Sequence, residues 1–314
     1  MSDIKYGKLL KATDPTAGDS AHPTLRAWRI FKASRSADAV LTNEGKRTPL
    51  GLVILATLMW ISRRRNLVLV EFLPAVRRGI KGALVTRAYK FLLPRVVAGA
   101  QVMTHWEKDD YAHRYGIPKE RLHVIPFYYF DDRLRPEPAR WSPAGRTRYL
   151  STGRNACDWD TLLEAAEGEG WPLTIVTRGT ERARVVGAAA RAGATALADV
   201  PRDRHDKMLA SAELLLVILQ EKAVSAGHVR LMSAATFGTP VILSAIRGVE
   251  GYEHLAVATV PPGDALALRN AVDWFLSNPE SVRGRMDAIR ARAIERPFSK
   301  YLAEIENLLH SSVG

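Results

Sequence analysis

Ser225, Ala226 and Gly227 follow a short continuous apolar run, Leu214 to Leu219, and precede a segment in which Val229, Met232, Ala235 and Thr236 recur at helical spacing. A small-residue turn between a buried strand and a helix leaves first-turn N–H groups and the positive end of the helix dipole facing outward. That setting suits a phosphate or another anion. The same glycine serves equally well in a plain turn, and His228, next in the chain, would stand beside whatever occupies the place. Other residues of reactive type sit at the ends of apolar runs: Glu71 after Leu67 to Val70, His105 after Gln101 to Thr104, and Arg178 after Leu173 to Thr177. Ligands of open α/β sheets bind beyond the carboxyl ends of the strands. There Glu71 could act as a general base or pair with Arg77 or Arg78. His105 could be a catalytic imidazole or an interfacial polar group, and Arg178 a phosphate contact or a solvated cation.

The elements that must hold these residues alternate between the two periodicities. In the first half, a helix is predicted from Thr24 to about Ser36, a strand at Ala39 to Thr42 and a helix from Pro49 to Arg63, with proline in its first turn. A strand at Leu67 to Phe72, a helix from Pro74 to about Leu93 and a strand at Gln101 to Thr104 follow, then a helix at Lys108 to Tyr115 and a short strand at Val124 and Ile125. The second half reads as strand Tyr149 to Thr152, helix Trp159 to Glu167, strand Leu173 to Thr177, helix Arg182 to Ala192, strand Thr195 to Leu197 and helix Pro201 to Ala212. The glycine turn and its helix then lead through Gly238 to strand Val241 to Leu243, and helices follow at Ala265 to Leu276, Pro279 to Glu295 and Ser299 to His310. Strands alternating with helices imply parallel sheets covered by helices. The proline-rich stretch Arg133 to Gly145 reads as an interdomain linker.

With 314 residues and 47% hydrophobic content, the chain is long enough for two domains with their own cores. A single cysteine, Cys157, allows no internal disulfide, and no Cys/His cluster has zinc spacing, so a reducing, cytoplasmic setting without a structural metal is expected. The opening segment is polar and lacks the core of a signal peptide, and the apolar run Leu50 to Ile61 is too short to span a bilayer. The net charge of +12 is unevenly placed: residues 1–145 hold 25 Lys and Arg against 13 Asp and Glu, whereas residues 146–314 hold 20 of each. Such an excess points to an anionic partner, either a membrane surface reached through Arg77, Arg78 and Lys81 with nearby apolar side chains, or simply solvent. No helix-turn-helix, RNP or zinc pattern accompanies the charge, which argues against nucleic acid.

The pieces SAATFGTPVI, RGVEGY and VPPGD stand in the order of the family pattern "EAMA.G.PVI", "G...Y" and "V.PGD". They resemble the nucleotide-sugar-binding domain of GT-B glycosyltransferases, in particular the retaining group called family four. VMTHWEKDDYAHRYGIPKERLHVIPF and YLSTGRNACDWDTLLEAAE are similar to the stretches where that group leaves its first domain and begins its second. The resemblance covers about residues 100 to 300 and implies an α/β GT-B-like fold, two Rossmann-like domains with parallel sheets facing each other across a cleft. The expected organisation is a small basic acceptor domain over 1–140, a nucleotide-sugar domain over 146–298, and a terminal helix over 299–314 that crosses back to the first domain. Family members begin with a strand and a glycine-rich loop, and residues 1–23 show neither.

The resemblance also implies roles. Arg154 stands where the family's "GR" arginine meets the donor diphosphate, while the lysine expected beside it is absent from NACDWD. Ser225 and Ser233 stand where the family carries two glutamates eight positions apart, and a serine hydroxyl cannot make the charge-assisted bonds of a carboxylate. Glu221 could supply a carboxylate instead. The expected donor-binding set is therefore Arg154, Arg178, Glu221, Ser225, Ala226, Gly227, His228 and Ser233, with His105 and Glu71 as catalytic candidates. The expected activity is sugar transfer from a nucleotide-sugar donor, needing no further cofactor, to a glycan or lipid-linked acceptor at the inner membrane face. The alternatives are a degenerate domain that binds without transferring, and a nucleotide-sugar epimerase.

Overall fold

A computed structural model describes residues 22–43, 49–74, 79–143, 145–146, 148–222 and 224–312. The chain forms two compact units, residues 1–126 with 301–314, and residues 127–300. The proline-rich stretch lies inside the second unit, tied there by Ala139 N–H to Thr236 O (3.0 Å) and Arg290 Nε–H to Pro138 O (3.0 Å), with Asp131 N–H, just before it, donating to Thr236 Oγ1 (2.9 Å).

In the first unit four parallel strands, β1 (Val40–Thr42), β2 (Leu67–Leu69), β3 (Val97–Val102) and β4 (Leu122–Val124), lie in sequence order. Between them run α2 (Pro49–Ile61), α3 (Gly79–Val96) and α4 (His105–Tyr115), preceded by α1 (Pro23–Ser34). Right-handed crossovers in a sheet built in one direction place its helices on one face. The core accordingly joins Ala27, Ile30, Leu52, Leu55, Met59, Tyr89, Leu93 and Tyr111 to Val40, Leu67, Leu69, Ala100 and Val102. Alternation along β3 sends Gly99 and Gln101 to the opposite face. The last helix, α11 (Phe298–Ser311), belongs to this unit from Tyr301 onward. It approaches β3 where Gly99 has no side chain, since a Cβ there would sit 3.1 Å from Leu308.

Two of the sequence expectations shift here. The strand expected at Gln101 to Thr104 starts four residues earlier, and Thr104 caps α4 instead of ending a strand. Thr104 Oγ1 accepts from Glu107 N–H (3.1 Å) while the Glu107 carboxylate accepts from Met103 N–H (2.8 Å), one residue before the cap, and the two bonds begin the helix at His105. The helix expected from Pro74 begins among the described residues at Gly79, and Arg77 and Arg78 lie outside them.

The second unit holds six parallel strands: β5 (Arg148–Thr152), β6 (Leu173–Thr177), β7 (Thr195–Ala198), β8 (Ala212–Val217), β9 (Val241–Ser244) and β10 (Ala258–Val260). Their spatial order is β10-β9-β8-β5-β6-β7. The helices are α5 (Trp159–Ala166), α6 (Gly179–Arg191), α7 (Arg202–Ser211), α8 (His228–Phe237), α9 (Ala265–Ser277) and α10 (Pro279–Ile294). β10 was not expected from the sequence, because Ala256 to Val260 is short and runs into a Pro-Pro-Gly turn. Pairing with β9 makes it a strand.

Gln101 is fully buried and holds three oxygen and nitrogen partners beside a longer contact of Nε2–H with Met103 Sδ (3.7 Å). Its Oε1 accepts from Glu71 N–H (3.0 Å) and Tyr301 OH (3.3 Å), and its Nε2–H donates to Ile125 O (2.8 Å). Gln101→Leu removes all three partners at once and is expected to destabilise the first unit by about 2–4 kcal/mol, with Tyr301→Phe costing about 1 kcal/mol. Urea unfolding of the full chain checks both values.

Candidate active site

The strand order of the second unit contains a switch. From β5 the chain steps outward through β6 and β7, then returns to place β8 on the other side of β5 and continues to β9 and β10. The connections beyond β5 and β8 therefore diverge at their carboxyl ends, and the crevice between them is where an open α/β sheet takes its ligand.

The loop after β5 is laced to the segment after β8. Asp158 N–H donates to Ile218 O (3.0 Å), Gln220 N–H to Ala156 O (2.8 Å), and Cys157 bridges Leu219 in antiparallel sense. Arg154 stands exposed on this ledge, and Arg178 stands exposed at the N-cap of α6, just beyond β6. On the other side of the switch, Gly227 caps α8 with φ +91°, a left-handed conformation that glycine adopts without strain. An added Cβ would also press on Leu219 at 3.0 Å. No acidic residue lies in the first turn of α8, so its positive end is uncompensated by its own sequence.

The residues around that helix start are arranged differently from one another. Ala226 N–H donates to Gly248 O (3.3 Å), and the half-buried Ser233 lies further along α8. Ser225 is buried beneath Gly248, whose missing side chain leaves room at 3.3 Å from Ser225 Cα. His228 is buried, its Nε2–H donating to Gly248 O (2.8 Å) and its ring stacked on Tyr252 with centroids 3.9 Å apart and planes 12° from parallel. Burial pushes the imidazole down to about 4, against the opposing pull of the Gly248 carbonyl. His228 thus pins the helix start to the loop after β9. Glu221 accepts from Arg247 Nε–H (2.8 Å) and Arg247 N–H (3.1 Å), which closes the same loop from the other end.

One residue at the switch carried no signal in the sequence. Arg230, two positions after His228, sends its guanidinium from α8 across to the β5 loop, where Nη1–H donates to Thr152 O (2.8 Å) and Nη2–H to Asn155 O (3.4 Å). Its position in the amphipathic pattern reads as an ordinary helix-surface cation, and only the sheet order brings the β5 loop beneath it. Gly153 leaves room for it, because a Cβ there would lie 2.6 Å from Arg230 Nη1 and displace the guanidinium. In the first unit, Glu71 follows β2 with φ +47°, a conformation unfavourable for a residue with a side chain, held by the Gln101 contact. His105 is exposed at the first position of α4.

No protein-family model matches the chain, and no curated protein is significantly similar to it. Solved structures do match. HepE from Anabaena in complex with UDP is 17% identical and aligns over 91% of this chain and 82% of that one, with a TM-score of 0.72. An α,α-trehalose-phosphate synthase (UDP-forming) from Burkholderia vietnamiensis is 13% identical over 93% of this chain and 79% of that one, with a TM-score of 0.67. WaaG, a glycosyltransferase involved in lipopolysaccharide biosynthesis, is 16% identical over 91% and 81%, with a TM-score of 0.62.

The chain has the GT-B fold. In the second unit Arg154 follows β5, Gly227 and Arg230 stand at the start of α8 after β8, and Arg178 stands beyond β6 on the other side of β5, while Glu71 and His105 belong to the first unit.

The buried His228 makes the stability of this unit pH-dependent. Its folded pKa of about 4 lies below the ordinary value of 6.5, so the unfolded chain binds the proton first as pH falls. The stabilisation is complete above pH 6.5 and is lost as pH drops toward 4, by up to about 3 kcal/mol. His228→Phe, which keeps a ring against Tyr252, should flatten this part of the urea-stability profile.

Proposed function

We propose that this protein transfers a sugar from a nucleotide-sugar donor to an acceptor presented at a membrane surface. The observation that carries the donor half is the shared fold, over 91% of the chain, with HepE, whose structures were solved with UDP and with UDP-glucose. In this reading the diphosphate lies at the switch of the second unit. First-turn amides of α8 and the Arg154 guanidinium stabilise the negative charge that develops on the leaving diphosphate as the glycosidic bond breaks. Arg178 and Ser233 supply further donor contacts. Glu71 and His105 are the acceptor-facing candidates of the first unit, the first of them presented on a strained turn at the carboxyl end of its sheet. Catalysis here consists of positioning the acceptor hydroxyl and stabilising the leaving group.

The membrane half rests on the helix layer of the first unit. The sequences of α1, α2 and α3 contain no Asp or Glu and seven Lys or Arg. Among the exposed side chains of these helices are Trp28, Trp60, Ile61, Ile80, Leu84 and Phe91. Trp60 meets Phe91 edge-on at 5.1 Å, and the Arg95 guanidinium lies over the Phe91 ring at 4.0 Å. A groove of ≈ 700 Å³ along α3 is lined by Thr86, Arg87 and Lys90 among small residues. Aromatic and aliphatic side chains set among cations, with no acid to repel phosphate headgroups, form an interfacial surface rather than a spanning one. Among the described residues no helix is long and apolar enough to cross a membrane.

A second reading, nucleotide-sugar binding without transfer, is favoured by the uncharged Ser225 and Ser233 at positions where the family places carboxylates. Product formation with a panel of donors and lipid acceptors separates the two.

At a ligand concentration 100 times Kd, a bound nucleoside diphosphate stabilises the chain by about 2.7 kcal/mol, so UDP or GDP is expected to raise Tm by several degrees. Arg154→Ala should remove much of that rise, and the absence of a shift with every nucleoside diphosphate tried would defeat the donor reading.

The membrane reading predicts flotation with anionic vesicles and little with neutral ones, weakened by salt. Neutralising Lys81, Arg87 and Lys90 together should weaken binding roughly 100-fold, at about 1 kcal/mol per cation. Equal recovery with both vesicle types would remove this half of the proposal.

A further inference from the structure

Arg230 is costly where it stands. It lies in the first turn of α8, at the positive end of the helix, where a cation is disfavoured. Its guanidinium meets two carbonyls and the Cys157 thiol (3.5 Å), and among the described residues no carboxylate is paired with it. Burial pulls its proton affinity below the ordinary value, yet an arginine stays charged throughout the working pH range. Carbonyl dipoles satisfy its N–H groups without neutralising its charge. A glutamine or methionine would span the same helix face with no charge to enclose. The positive end of α8, Arg230 beneath the β5 loop and the exposed Arg154 on top of it therefore add in the same sense at one crevice.

We infer that Arg230 is the second cation of a diphosphate site at the β5/β8 switch, acting from the helix, with a nucleoside diphosphate or the diphosphate of a nucleotide sugar as its counterion. The inference rests on the donor reading above and deepens it. The basic partner of Arg154 comes from across the switch rather than from the β5 loop, whose segment Asn155 to Asp160 holds no cation. The same contacts that enclose the guanidinium brace the loop, so an anion bound at Arg154 meets a ledge already in place.

The chain's only cysteine reports on the site without any mutation. Burial raises the Cys157 thiol above its ordinary value and Arg230 opposes that rise, so an anion neutralising Arg230 should leave less thiolate. Saturating UDP or inorganic pyrophosphate is expected to slow iodoacetamide alkylation of Cys157 at least fivefold, and uridine to leave it unchanged. UDP that binds by calorimetry without altering the alkylation rate would overturn the inference. Arg230→Gln should weaken UDP at least tenfold and uridine less than twofold, while Arg230→Lys, which keeps the charge, should stay within about fivefold of the parent. Equal losses for UDP and uridine, or UDP binding within twofold of the parent in Arg230→Gln, would reduce Arg230 to a brace. If Arg230→Gln does not fold, the alkylation series on the parent protein decides. A parent protein that binds pyrophosphate through Arg230 but no nucleotide would defeat the donor reading alone, and one that binds neither would defeat both.

Discussion

A parallel sheet cannot return its chain by short hairpins, so every strand must be reached by a crossover. In the second unit this constraint decides the position of everything chemical. The chain enters at β5, in the interior of the sheet, builds outward on one side, and must come back past β5 to build the other. The two strands that meet at that reversal send their connections apart, and the space left between them is bounded by backbone. Ile218, Leu219 and Gln220 exchange contacts with Ala156, Cys157 and Asp158 across it, which ties the two sides of the crevice floor together. A polar backbone at the end of a buried strand must find partners, and here two strand ends satisfy each other.

The start of α8 is held with similar economy of parts. Gly248 accepts from both Ala226 and His228, and the His228 ring lies flat on Tyr252, whose hydroxyl accepts from Phe127 N–H (2.6 Å). Glu221 and Arg247 fasten the other end of that loop. A neutral imidazole suits this role because it donates to a carbonyl while presenting an apolar face, and burial keeps it neutral. The first-turn amides of α8 are thereby fixed in direction, which is what a helix terminus needs if it is to bind an anion without reorganising.

The first unit is built on the opposite plan. Its strands run in sequence order, so it has no internal switch, and α1, α2 and α3 share one chemical character, with no acidic residue in any of them. The inner faces of α1, α2 and α3 are apolar because they cover the sheet. Their outer faces are apolar and cationic, which the sheet does not require. On the other face, Gln101 organises a polar junction in which the turn at Glu71, the segment at Ile125 and the helix at Tyr301 share one buried amide. A single side chain with both donor and acceptor can join three backbone segments where an apolar residue could join none.

Local pattern was enough to reveal the alternation of strands and helices, the glycine turn before α8, the positions of Arg154 and Arg178 beyond their strands, and the acid-poor first half. Each of these depends on neighbours a few residues apart: burial on both faces makes a continuous apolar run, and a helix start needs only its own cap. The start of α4 at His105 was also local, written in Thr104 and Glu107, and a competing strand pattern obscured it. Tertiary structure alone decided the strand order, the pairing that makes β10 a strand, the burial of His228 against Tyr252, and the reach of Arg230 to the β5 loop. These join residues from 16 to 78 positions apart, and nothing in either partner's own neighbourhood marks the other. An arginine on a helix looks the same in sequence whether it meets water or two carbonyls, because its charge is local and its environment is not.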